Sequence, residues 1–218
     1  MTLLNGEMMA PRFVARQLAC PSGLLGRAIG RAMNWHNAAI NSFAIQQLAV
    51  APPDRVLEIG FGGGATLPLL LERAAFLSGI DRSRDAVAWA KARFADAVTT
   101  SRAEFCEGSV EALPFETASF EKVYTVNTVY FWRSLDAGFS EIHRVLSPSG
   151  RVVVGFLPKE QMARRRMPSH IFTLRTVEDV VASLDKAGFK EISVEHPKPN
   201  TSWKVIVARG PVGGSPRR

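Results

Sequence analysis

VLEIGFGGGATLPLL, residues 56–70, places four glycines, Gly60, Gly62, Gly63 and Gly64, between an apolar run and a helix-like pattern. The run at 55–59 reads as a strand buried on both faces, and 66–75 reads as a helix. Glycines at such a junction permit unusual φ values and remove the Cβ atoms that would block a ligand. In open α/β sheets ligands bind beyond the carboxyl ends of the strands, so this junction is a candidate binding loop. Asp81 ends the next predicted strand, 21 residues after Gly60, where a carboxylate can accept hydrogen bonds from a ribose diol.

The spacing Gly60-x-Gly62-x-x-Ala65 also satisfies the dinucleotide fingerprint, so the glycines alone leave two ligand classes open. Glu58, two residues before the glycine turn, would repel a pyrophosphate and suits a ligand carrying an ammonium group. No Tyr-x-x-x-Lys pair for hydride chemistry is present, since Thr128 follows Tyr124 and Ser134 follows Tyr130 at that spacing.

Working outward, the chain alternates strands and helices. Strands are expected at 76–80, 104–106, 122–126, 152–156, 192–195 and 204–208, with helices at 34–50, 84–97, 135–146 and 176–187. Ser147-Pro148-Ser149-Gly150 reads as the turn that stops the 135–146 helix, and Gly188 as a C-cap residue. Buried strands alternating with helices imply a mostly parallel sheet covered on both faces. The last two strands are joined by too few residues for a parallel crossover, so they must pair antiparallel. The expected organisation is a helical lid or extension over 1–50, a ligand-binding domain over 51–210 and a disordered tail over 211–218. Asn34, Asn37 and Asn41 share one face of the 34–50 helix.

Two cysteines far apart, Cys20 and Cys106, argue against a zinc site and for a reducing compartment. The first twenty residues lack a continuous apolar stretch, which argues against a signal peptide or membrane span, and a cytoplasmic location is expected. The formal charge of +7 comes from scattered basic residues, so it is weak evidence for an anionic partner.

Taken together, Glu58-x-Gly60-x-Gly62-x-Gly64, Asp81 within Gly79-Ile80-Asp81-Arg82-Ser83, the 108–115 segment GSVEALPF, and RVLSPSG at 144–150 resemble, in order, the motifs of class I S-adenosylmethionine-dependent methyltransferases. The resemblance covers roughly residues 50–210. It implies a Rossmann-like three-layer α/β sandwich with a seven-stranded sheet ordered 3-2-1-4-5-7-6, strand 7 antiparallel. It implies S-adenosylmethionine as methyl donor, held by Glu58, Gly60, Gly62, Gly64, Asp81, Arg82, Ser109, Val110 and Asn127. Ser109 stands where many members carry an Asp facing the adenine amino group, and Ser149 replaces a glycine of the usual turn.

Methyl transfer from a sulfonium requires alignment and exclusion of water, and a general base only for some acceptors. His36, at the start of the 34–50 helix, is the preferred base or acceptor-binding residue; a packing or capping histidine is the alternative. Tyr130, in the aromatic run Tyr130-Phe131-Trp132 after the fourth strand, is the second candidate, with a hydroxyl that could orient a nucleophile. His170 and the Arg164-Arg165-Arg166 cluster fall in an insert expected to roof the acceptor. A small organic acceptor is the favoured partner, with no sequence-specific nucleic acid. The alternatives are a lipid acceptor reached through a basic amphipathic segment around Leu24, Leu25 and Ile29, and a donor-binding module without catalysis.

Overall fold

A computed structural model describes residues 22, 23, 26, 35–164 and 171–210. The readings placed on Cys20, on Leu24, Leu25 and Ile29, on Asn34, on Arg165, Arg166 and His170, and on the 211–218 tail lie outside the described residues. Seven strands form one sheet in the order β3-β2-β1-β4-β5-β7-β6. They are β1 (Arg55–Ile59), β2 (Phe76–Asp81), β3 (Ala103–Glu107), β4 (Phe120–Val126), β5 (Leu146–Phe156), β6 (Lys190–Glu195) and β7 (Lys204–Arg209). Strands β3, β2, β1, β4 and β5 pair in parallel, and β7 pairs antiparallel with both β5 and β6.

The described helices are α1 (Ala38–Leu48), α2 (Leu67–Arg73), α3 (Arg84–Arg93), α4 (Ala95–Thr99), α5 (Leu135–Val145), α6 (Lys159–Arg164) and α7 (Val177–Lys186). Strand residues alternate between two cores, as a period of two demands. Val153 joins α1, α2 and α3 on one face, while Val152 and Val154 join α5 and α7 on the other. That is the expected three-layer sandwich. Helix starts follow local chemistry: Ser83 and Ser134 accept from the N–H groups three residues on, and Thr176 with Asp179 closes a reciprocal capping box.

Two elements differ from the sequence reading. The helix expected over 84–97 breaks at Phe94, whose backbone leaves the helical region while its ring packs 5.9 Å from Phe105. The turn at 147–150 lies inside β5: Leu146 pairs with Phe120, the register then shifts, and regular pairing resumes at Arg151 with Lys122. Gly150 is needed there, because a Cβ would sit 2.8 Å from the Ser147 carbonyl oxygen.

Helix α1 runs antiparallel to β5. Near its start, Ile40 packs against Gly155, and near its end the Gln47 carbonyl accepts from Arg151 Nη1 at 2.8 Å. Tyr124 Oη donates to Asn41 Oδ1 at 3.0 Å, so the asparagine face noted in the sequence turns inward at this position. Ile40, Ala44, Ile45 and Leu48 are buried, each large side chain contributing roughly 1.5–3 kcal/mol. The part of the predicted extension that is described therefore belongs to the same core as the sheet. No helix among the described residues is long and apolar enough to cross a membrane.

Candidate active site

The carboxyl ends of β1, β2 and β4 bring together most of the residues singled out in the sequence. Gly60 adopts φ +73° and donates to the Ile80 carbonyl at 2.7 Å, which turns the chain sharply off β1. A Cβ there would lie 2.5 Å from the Thr128 methyl. The loops after β1 and β4 are thus interlocked at a spot only glycine can occupy. Gly62 has φ +48° and nothing within 4 Å of where its Cβ would be, so its backbone faces open space. Gly64 is buried beneath Leu67 at the entry to α2, which makes it a packing residue.

Alanine at Gly60 should destabilise the fold by about 2–3 kcal/mol, combining left-handed strain with overpacking. Urea unfolding reads this directly, and an unchanged midpoint would show that Thr128 yields to the new methyl group.

Asp81 is buried at the end of β2. Its Oδ2 accepts from Gly62 N–H at 2.8 Å and its Oδ1 from Ser83 N–H at 2.8 Å. The acid thereby holds the glycine loop, and each oxygen keeps a further lone pair for hydroxyl donors. Burial pushes its carboxyl upward, opposed by bonds from the Ser83, Gly62 and Arg82 N–H groups and by the Arg82 charge.

Glu58 pairs in register with Tyr124 of β4 and points with it to the α1 side. It is buried; Oε1 accepts from Thr66 Oγ1 at 2.5 Å, and Oε2 has no hydrogen-bond partner. Burial raises its pKa to about 8, the Thr66 bond pulling the other way and Asp81 adding to the rise. An orphaned, buried carboxylate oxygen beside open glycine backbone fits a ligand that brings an ammonium group.

Beyond β3, Gly108 N–H donates to the Asp81 carbonyl at 3.0 Å, setting Ser109 alongside the acid. The Ser109 hydroxyl donates to Glu111, whose other oxygen accepts from Arg133 N–H at 2.7 Å. Arg82 Nη1 donates to the Phe131 carbonyl at 3.2 Å, a second tie to the loop after β4. Val110 departs from expectation: its side chain enters the core beside Gly138 and Trp132, leaving only its backbone near the site.

Asn127 follows β4 at φ +58°, its N–H donating to the Gly155 carbonyl and its Oδ1 facing Tyr130 Oη at 3.2 Å. Tyr130 Oη accepts from Leu157 N–H at 2.5 Å and lies 3.1 Å from the Leu157 carbonyl. Its one proton is shared between that carbonyl and Asn127, and the side chain is buried. The nucleophile-orienting duty expected of Tyr130 is thus replaced by bracing: the ring joins the loops after β4 and β5. His36 is exposed and lies two residues before the start of α1, whose Ile40 packs against Gly155 of β5.

Several contributors were not read from the sequence. Thr66 and Tyr124 flank Glu58, Asn41 binds Tyr124, and Thr125 donates to the Ile59 carbonyl while meeting Thr128. Glu111 sat unremarked inside the GSVEALPF segment. The asparagine periodicity of α1 was the one signal pointing at Asn41.

Comparison with known proteins agrees with this geometry. The family described as Methyltransferase domain matches residues 57–154. The uncharacterized methyltransferase YdaC of Bacillus subtilis (strain 168) is 29% identical over 168 residues, covering 76% of this chain and 88% of its own. A fatty-acid O-methyltransferase of Mycolicibacterium smegmatis is 32% identical over 98 residues, 44% of this chain and 34% of that protein. An S-adenosylmethionine dependent methyltransferase from Mesorhizobium loti has the same fold, with a TM-score of 0.64 at 18% identity over 77% of this chain and 96% of that one. The choice that the glycine loop alone left open, dinucleotide or sulfonium, is tilted by these matches toward the sulfonium: over residues 57–154 the chain is similar to the Methyltransferase domain family, and the relatives named above are methyltransferases.

Proposed function

We propose that the protein methylates a small, partly apolar organic acceptor by direct in-line transfer, with Glu58, Gly60, Gly62, Asp81 and Ser109 as the donor-binding set. When bound, S-adenosylmethionine supplies a methyl group on a sulfonium, already activated for displacement. The chain's residues then have three duties: Glu58 takes the ammonium, Asp81 takes the ribose, and the loop after β4 excludes water from the reacting end.

The observation that carries the acceptor reading is an aromatic cluster from two loops at the β4 and β5 ends. Phe131 packs 5.0 Å and Tyr130 6.1 Å from Phe172, ring centre to ring centre. Phe131 is half-buried, so one side of its ring is available as an apolar wall. Trp35, 86% exposed beside His36, adds an apolar surface and favours a lipid-like acceptor within this class. In this reading His36 contacts the acceptor, and its imidazole is the candidate base for an O–H or N–H nucleophile.

S-adenosylhomocysteine should raise the melting temperature, by selective binding to the folded state, and NAD should not. Labelled S-adenosylmethionine, offered with fatty acids, prenylated phenols and water-soluble amines, should label the apolar acceptors. Stabilisation by NAD alone would overturn the donor assignment, and turnover confined to the amines would overturn the acceptor class.

A further inference from the structure

We propose that Arg175 is a positioning residue for methyl transfer: it holds the turn after β4 so that Phe131 meets the acceptor in one fixed orientation. This rests on the acceptor reading above and names the residue that makes its apolar wall rigid. The turn is the short helical segment Val129–Phe131, followed by Trp132. Its four successive carbonyls, from Val129 to Trp132, all accept from donors brought in by distant parts of the chain. Arg175 Nε donates to the Val129 carbonyl at 3.5 Å and Thr173 N–H to that of Tyr130 at 3.0 Å. Arg82 Nη1 donates to the Phe131 carbonyl at 3.2 Å and Arg175 Nη2 to that of Trp132 at 2.9 Å. Arg175 thus ties both ends of the turn, with Phe131 between the two ties.

A guanidinium suits this duty. It is planar and its N–H groups leave in fixed directions, so bonds to two carbonyls set their separation and angle together. A lysine ammonium would hold one carbonyl and leave the other to rotate. Asp179, whose charge acts on Arg175, is committed to the capping box of α7 with Thr176. The segment carrying Arg175 is itself anchored, since Lys159 N–H at the start of α6 donates to the Arg175 carbonyl at 2.8 Å. Phe172, buried three residues earlier, packs its ring 5.0 Å from that of Phe131. One short stretch, 172–175, therefore grips the turn by ring and by hydrogen bond, while Arg82 grips it from the side of Asp81. In-line displacement needs nucleophile, methyl and sulfur on one line, and a misplacement of about 1 Å costs on the order of 10²-fold in rate. A wall free to shift would let an apolar acceptor enter at several angles, its contact area kept and its alignment lost.

Alignment is read most cleanly as a product ratio. Palmitate, with a single carboxylate, and 2-prenylhydroquinone, with two unequal hydroxyls, are offered with S-adenosylmethionine to the native protein, Arg175→Ala, Arg175→Lys and Lys186→Ala. Lys186→Ala removes the ion pair with Asp136 between α5 and α7 without touching the turn, so it controls for lost stability. Arg175→Ala should lower kcat by about 10- to 100-fold, with the acceptor KM and the S-adenosylhomocysteine dissociation constant each within about threefold of native. The native protein should favour one hydroxyl of the hydroquinone by more than about tenfold, and Arg175→Ala should bring that preference below about threefold. The fraction of folded protein cannot change this ratio. Arg175→Lys should fall between the two, which keeps the test decisive if the alanine variant does not fold. If Arg175 only stabilises the fold, Arg175→Ala behaves as Lys186→Ala does: the melting temperature drops, while the product ratio and kcat per donor-binding site stand. That result overturns the proposal alone. Methylation of neither probe by native protein that binds S-adenosylhomocysteine overturns the acceptor reading and the proposal with it.

Discussion

Asp81→Ala is expected to weaken S-adenosylhomocysteine binding by about 10²- to 10⁴-fold, the loss of two charge-assisted hydrogen bonds at roughly 1.5–3 kcal/mol each. The carboxylate has two duties at once. In the proposed donor complex it offers lone pairs to the ribose hydroxyls, and it already holds Gly62 N–H and Ser83 N–H, each at 2.8 Å. Removing it therefore releases the glycine loop as well as the ligand contact. Asp81→Asn separates these poorly but tellingly: one oxygen becomes an NH₂ that must face one of the two N–H groups, donor against donor. It should bind nearly as weakly as the alanine variant. Titration calorimetry on both variants is the measurement, and affinity within threefold of the native protein would remove Asp81 from the donor site.

Glu58 leads to an affinity that depends on pH with an unusual optimum. In the donor-free protein its carboxyl titrates at about 8, so below that pH it holds a proton. Pairing with the donor ammonium requires the ionised form, so binding at lower pH must expel the proton. Affinity should fall about tenfold for each pH unit below 8. Above 8 the donor's own α-amino group, with an ordinary pKa of about 7.7–8.0, loses its charge and affinity falls again. Calorimetry of S-adenosylhomocysteine in buffers of different ionisation enthalpy should detect release of about one proton at pH 6.5. The control is 5′-methylthioadenosine, which lacks the amino acid portion and should show no such dependence. A flat profile for both ligands would show that Glu58 does not meet the ammonium.

The same shift bears on stability, with a definite sign. The unfolded carboxyl ionises near its usual value of 4.5, whereas the folded one keeps its proton up to about 8. The native state's advantage from Glu58 is thus complete below pH 4.5 and declines as pH rises to 8. The decline is on the order of 5 kcal/mol across that range. Glu58→Gln does not titrate, so without donor it should melt higher than the native protein at pH 8 and similarly near pH 4.5, while binding the donor more weakly. A residue retained at that cost to stability is consistent with a binding duty.

Local pattern made the frame legible. The apolar run before the glycines became β1, and the short link between β6 and β7 already required an antiparallel end to the sheet. Asp81 was placed by its distance from Gly60 along one strand–helix–strand unit, a local relation. What was not legible depends on register between distant segments. Glu58 meets Tyr124 only because β4 inserts next to β1, 66 residues later in the chain, a neighbour that periodicity within either strand cannot reveal. Tyr130 looked presentable as an aromatic after β4, but its hydroxyl satisfies the backbone of Leu157, a partner brought in by β5. The 84–97 helix read as continuous from its composition and was interrupted by the packing of Phe94 on β3, a tertiary contact overriding propensity.

Helix α1 is fastened at both ends, by Asn41 to Tyr124 and by Gln47 to Arg151, with its middle sunk in the core. Such a helix is a stiff part of the core that the sheet packs against. Access for an acceptor has to be arranged elsewhere than by swinging α1 outward. A ligand bearing on its first turn would transmit the load straight into β4 and β5, the strands whose ends carry the aromatic wall.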